Sequence, residues 1–217
     1  MNFNHSIKSL IALIAIGLIS CSAMKKSNVP STERLKNAIQ KGENFYAVGE
    51  TFDGELSVSD LIKDNNIAHS TYIESALFFK DCKFSSKINL TPQAGKMLYF
   101  EKEVIFEGCE FKNDMIINDA VFRARFQMGS NLCRHNLDLQ RNSFYSMCRI
   151  DENEIGQDLI LQYSSCQQNL SLFGNSLGRH LSMQGTSVQG KLEPINVVDN
   201  KEFTRTLFEN QFHKSSK

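Results

Sequence analysis

Every eleventh residue of this chain, over most of its second half, has the same character. Steps of eleven from Val104 give Val104, Met115, Phe126, Leu137, Cys148, Leu159, Leu170, Leu181 and Leu192. Two residues later the same step gives Phe106, Ile117, Met128, Leu139, Ile150, Leu161, Leu172 and Met183. Seven residues into each unit stand Phe111, Phe122, Cys133, Phe144, Ile155, Cys166, Leu177 and Val188. Between them runs a small or amide-bearing column: Cys109, Ala120, Asn131, Asn142, Asn153, Ser164, Asn175 and Thr186. A spacing of two within each apolar pair is strand alternation. The pairs recur five and then six residues apart, which a helix of about 3.6 residues per turn cannot sustain.

Eleven residues are too few to close a ring around an apolar centre, so two units form one coil. Residues 22 apart then stack at about 4.8 Å per layer. Asn131, Asn153 and Asn175 fall on one inner corner, where stacked amides can satisfy one another's donors and acceptors. Asn118, Gln140, Gln162 and Gln184 are expected to form a second, outer amide column and a solvated face. Upstream, Leu77, Phe79, Cys82 and Phe84 repeat the unit, Ile88 and Leu90 begin the next, and Phe45, Ala47, Phe52, Leu56 and Val58 give an earlier one. Insertions interrupt it around 59–73 and 92–103. About six coils follow, a rod roughly 25–30 Å long at the sheet spacing.

The segments Cys109-Glu110-Phe111, Ala120-Val121-Phe122 and Asn142-Ser143-Phe144 resemble the small-x-Leu/Phe centre of pentapeptide repeats. The resemblance covers about 45–193 and implies an all-β fold, a right-handed parallel β-helix with four sides. A pentapeptide coil is four five-residue faces, and the coils here hold two residues more, which predicts enlarged alternate corners. Some pentapeptide-repeat proteins resemble DNA and act on topoisomerases, a role that needs a strongly acidic cytoplasmic rod. This chain has 24 basic and 24 acidic residues and a net charge of zero. That balance argues against both that role and nucleic-acid binding in general.

The first twenty residues read as an address. Lys8 precedes an unbroken apolar run, Leu10 to Ile19, about half of what a membrane-spanning helix needs. The run ends in Leu18-Ile19-Ser20-Cys21, which resembles the bacterial lipobox. The resemblance implies cleavage before Cys21, lipid attachment there, and anchoring in the cell envelope by several acyl chains. Ser22 rather than an Asp follows, which favours the outer membrane in a Gram-negative cell. The organisation expected is therefore a signal peptide over 1–20, a tether over 21–30, a capping helix over 31–42, the solenoid over 43–193 and a C-terminal cap or tail over 194–217. Pro30, Ser31 and Glu33 mark the helix start, Leu35, Ala38 and Ile39 its apolar face, and Gly42 its end. A solenoid needs such covers because its ends expose apolar cross-section and open edges.

No catalytic set stands out. The five cysteines past Cys21 (82, 109, 133, 148 and 166) fall on inward columns without CxxC spacing. A Cys82–Cys109 disulfide and buried thiols acting as small hydrophobes are both open. No Cys–His cluster has zinc-type spacing, and no cofactor is expected. His135 and His180 fall on one side about two coils apart, roughly 10 Å. Asp151, Glu152, Glu154 and Asp158 follow Arg123, Arg125, Arg134, Arg141 and Arg149. These could serve a carbohydrate-active enzyme or glycan-binding β-helix if Asp151, Glu154 and an Arg converge on one face. Otherwise they are compensating surface charge. The reading favoured is a membrane-anchored binding or scaffold module with a protein or glycan partner.

Overall fold

The computed structural model of the chain describes residues 29–61, 70–192 and 198–199. Four parallel sheets form the walls of a four-sided β-helix, visited in the order A, B, C, D in each coil. Wall A stacks Phe45–Val48, Leu77–Lys80, Val104–Glu107, Phe126–Gly129, Cys148–Asp151 and Leu170–Ser171. Wall B stacks Thr51–Phe52, Lys83–Phe84, Glu110–Phe111, Leu132–Cys133, Glu154–Ile155, Ser176–Leu177 and Val198–Asp199. Wall C runs from Leu56–Ser57 through Ile88–Asn89, Met115–Ile116, Leu137–Asp138 and Leu159–Ile160 to Leu181–Ser182. Wall D runs from Thr71–Ile73 through Leu98–Phe100, Ala120–Phe122, Ser143–Phe144 and Ser165–Cys166 to Ser187–Val188.

Register confirms the 22-residue coil. Val104 pairs with Phe126, Phe126 with Cys148, and Cys148 with Leu170. All four side chains point inward and are buried at 0–1% exposure. The first two coils are longer: Phe45 pairs with Leu77 and Leu77 with Val104, steps of 32 and 27 residues. Both enlargements sit between walls C and D, so the other three corners keep their alignment. The first holds a short helix, Val58–Leu61.

The regular corners are of two kinds. From one buried inward residue to the next the chain takes five residues across A–B and C–D (Phe106 to Phe111, Ile117 to Phe122) but six across B–C and D–A (Phe111 to Ile117, Phe122 to Met128). The larger corners alternate, as the eleven-residue unit requires. At A–B and C–D the chain turns on a left-handed residue: Asp81, Gly108, Ser130, Glu152 and Gly174 on one, Asp119, Arg141, Tyr163 and Gly185 on the other. Four of these nine, Ser130, Arg141, Glu152 and Tyr163, lie outside the Gly/Asn/Asp set that adopts this conformation at least cost.

The interior is filled by stacked side chains from successive coils. Phe52, Phe84 and Phe111 stack at 4.8 and 4.9 Å. Phe100, Phe122 and Phe144 stack at 4.7 and 5.0 Å. Helix α1, Ser31–Gln40, lays Leu35, Ala38 and Ile39 over the first coil. A void of about 30 Å³ remains beneath it, lined in part by Leu35, Ile39, Leu61 and Phe79. Thr32 donates to the Asp53 carbonyl at 2.7 Å, and Lys36 pairs with Asp60 at 3.4 Å. These bonds tie the cap to the first coil. Of the segment expected as a C-terminal cap or tail, Val198–Asp199 pair with Ser176–Leu177 on wall B, and the rest lies outside the described residues.

Candidate functional site

Asn131, Asn153 and Asn175 occupy the inner side of the A–B corner, at most 2% exposed. Asn131 Nδ2 donates to Asn153 Oδ1 at 2.9 Å, and Asn153 Nδ2 to Asn175 Oδ1 at 3.0 Å. The same oxygens accept the backbone N–H of Asn131 and Asn153, both at 3.0 Å. Each amide also donates to a strand carbonyl one coil down: Asn131 to Phe106 at 3.1 Å and Asn153 to Met128 at 3.0 Å. The ladder saturates a buried corner and leaves nothing for a ligand. At the C–D corner Asn142 repeats the arrangement with Ala120 N–H and the Ile117 carbonyl.

The second amide column is not an amide ladder. Asn118 is buried at 7% exposure and accepts the backbone N–H of Gln140 at 2.9 Å rather than a side-chain amide. The Gln140 amide donates to Asp138 and that of Gln162 to Ser182. Cys21 lies outside the described residues.

The acids between 151 and 158 do not converge. Asp151 stands on wall A, Glu152 at the A–B corner, Glu154 on wall B, and Asp158 at the B–C corner. Asp151 is buried at 8% exposure. It accepts from Arg149 Nε at 2.9 Å, Ser171 Oγ at 2.6 Å and the Phe173 N–H at 3.1 Å. A carboxylate so fully engaged is a poor general base. Asp158 accepts the His180 N–H at 3.0 Å, and the His180 ring lies 3.1 Å from the same carboxylate. His135 contacts Gln157 at 3.2 Å. The five inward cysteines are buried free thiols. Burial pushes Cys133 up to about 12 and raises Cys148 well above an ordinary thiol, so neither is a ready nucleophile. Among the described residues no group of His, Cys, Asp and Glu could hold a metal ion, and no helix is long and apolar enough to cross a membrane.

The strongest outward feature lies at the D–A ridge of the first three coils. On wall D the outward column reads Tyr72, Tyr99, Val121, then Ser143, Ser165 and Ser187. On wall A it reads Tyr46, Phe78, Ile105, then Gln127, Arg149 and Ser171. Both columns change from apolar to polar at the same height. Tyr72 and Tyr99 stack at 4.7 Å and 11°. Arg123, from the coil above, lies over the Tyr99 ring at 5.3 Å and pairs with Glu101 at 3.3 Å. Arg125 pairs with Glu103, also at 3.3 Å. Glu101 Oε1 and Arg125 Nε are shielded from solvent without a hydrogen-bond partner. An open depression of about 500 Å³ is lined by Gly42, Tyr72, Glu74, Glu101, Lys102 and Arg123.

Sequence periodicity could not find this ridge. It depends on the unequal steps of 32 and 27 residues, which set Tyr46 beneath Phe78 and Tyr72 beneath Tyr99. No family model matches the chain, and no curated protein or solved structure shows significant similarity to it.

Proposed function

We propose that this chain is a lipid-anchored, pentapeptide-repeat-like solenoid of the bacterial cell envelope that serves as a binding or scaffold module for a protein partner. The observation that carries the reading is the joint change of character of walls A and D, aromatic over the first two coils, aliphatic in the third and polar above. Exposure favours an open surface: Tyr46 is 61% and Tyr72 55% exposed. Aromatic side chains flanked by Arg are the typical anchors of protein interfaces.

A glycan is the weaker occupant. Sugar rings pack on open aromatic faces, but Tyr99 has Tyr72 stacked on its ring and Arg123 over it. Tyr99 therefore has both faces occupied, with the Glu101–Arg123 pair beside it. A protein surface can meet that mixture with apolar and charged side chains together. The dispersed acids above 150 add no enzyme-like constellation.

Attachment at Cys21 would place this ridge near the bilayer. The nine residues from Ser22 to Pro30 reach at most about 30 Å, and the cap and first coils follow directly. Radiolabelled palmitate tests the anchor: label lost in Cys21→Ser supports it, and an unlabelled full-length chain refutes it. A photo-crosslinking residue placed at Tyr72, with Ser165 on the same wall as the comparison, tests the ridge in intact cells. The expectation is one protein adduct from position 72, absent from 165 and lost in Arg123→Glu. No adduct from 72, or retention of the chain on glycan arrays through Tyr99, would refute the protein reading.

A further inference from the structure

We propose that Cys82 and Cys109 form a dithiol that closes to a disulfide and staples the second coil to the third. Their neighbours are in register on both sides: Lys80 pairs with Glu107, and Lys83 with Glu110. The Glu110 N–H donates to the Cys82 carbonyl at 2.8 Å. The two residues are therefore stacked one layer apart, about 4.8 Å, inside the Cα separation of roughly 4.4–6.8 Å that a disulfide spans.

The side chains also lean the right way. In the coils above, each amide of this column reaches down to a carbonyl of the layer below. Cys109 does the same: its Sγ lies 3.5 Å from the Phe79 carbonyl, in the layer of Cys82. Cys82 Sγ sits 3.2 Å from the Lys80 carbonyl at the same corner. Both thiols are 1% exposed. Cys148 and Cys166 also meet, thiol to thiol, but they stand on walls A and D of one coil rather than stacked in register; Cys133 pairs with Phe111 and Ile155, Cys148 with Phe126 and Leu170, and Cys166 with Phe144 and Val188. The hydrogen bond from the Cys109 thiol lowers the Cys82 thiol, and burial opposes that, while Cys109 is raised.

The exchange balances with a small organic disulfide such as oxidised glutathione. One thiolate of the pair displaces one half of it, and the other thiol then attacks the mixed disulfide. One Sγ–Sγ bond forms and one S–S bond breaks. The two thiol protons and two electrons end on two molecules of reduced glutathione. The product closes a loop between residues 82 and 109 beside the longer coils, where the spacing is least regular.

The test uses the full chain carrying Cys21→Ser, unfolded and refolded in a glutathione redox buffer, then alkylated, digested and analysed by mass spectrometry. The expected result is one linked peptide pair joining Cys82 and Cys109, with Cys133, Cys148 and Cys166 alkylated. Oxidation should raise Tm by about 5–10 °C over the reduced chain, and the same chain carrying Cys109→Ala should show no dependence on reductant. Five alkylated cysteines, or a linkage confined to another pair, would overturn the proposal. Membrane attachment plays no part in these readouts, so they stand apart from the proposed envelope function.

Discussion

Asn131 and Asn153 stand 22 residues apart in sequence and one layer apart in space, the Nδ2 of the first donating to the Oδ1 of the second at 2.9 Å. That oxygen also accepts the Asn131 N–H, so one amide group closes both the side-chain and the main-chain demand of the corner below. Asn153→Ala removes this acceptor and both of its donations, taking partners from the buried Asn131 and Met128 in the layer below and from Asn175 in the layer above. The expected loss is about 2–4 kcal/mol, read from denaturant midpoints. Asn113→Ala, whose exposed amide makes one bond to the Ser85 carbonyl, should cost less than about 1 kcal/mol. Equal losses at the two sites would contradict the ladder.

Gly156 and Gly178 are required by contact and not by conformation. A Cβ at Gly156 would lie 2.3 Å from the Arg134 carbonyl oxygen, and one at Gly178 2.1 Å from that of Gly156. Gly156→Ala should therefore lower stability by about 1–3 kcal/mol, since two backbone layers must part. Gly129→Ala meets only the end of the Gln127 side chain at 3.6 Å. It should be neutral or stabilising by up to about 1 kcal/mol. Thermal melts of the two variants decide the point.

The cap should weaken in acid. Asp60 lies below the ordinary carboxylate value chiefly because Ser57 donates its hydroxyl at 2.6 Å, with the Ser57 N–H and Lys36 adding to the effect. A folded value below the unfolded 3.8 gives stability that is complete above pH 3.8 and lost as pH falls through the folded value. Hydrogen exchange over 31–57 should quicken in that range, and Asp60→Asn should be fast already at neutral pH. Unchanged exchange in the variant would refute the role.

Arg123→Ala should separate stability from recognition. The side chain is half exposed, and its pair with Glu101 and contact with Tyr99 lie at the surface. Chemical unfolding should move by no more than about 1 kcal/mol, while the crosslink from position 72 weakens at least tenfold. A large destabilisation with intact crosslinking would reverse the assignment.

The inward columns were legible because every coil asks the same question of positions 104, 106, 109 and 111. Phe126, Cys148 and Leu170 answer it identically and stack without offset. The left-handed corners were not legible. Arg141, Glu152 and Tyr163 carry no glycine signature, and their neighbours impose the conformation. The ridge stayed hidden because outward residues obey no packing rule, and only unequal coil lengths bring Tyr72 beneath Tyr99. The dispersal of Asp151 and Glu154 follows from the same geometry: three residues of sequence suffice to turn onto another wall.

All wall hydrogen bonds run along the rod rather than around it. Tension along that direction would load them end-on, one storey at a time, instead of in shear. Each storey that opens would release 22 residues, about 75 Å of slack, so the molecule would lengthen stepwise under a weak pull and wind back when the load is removed.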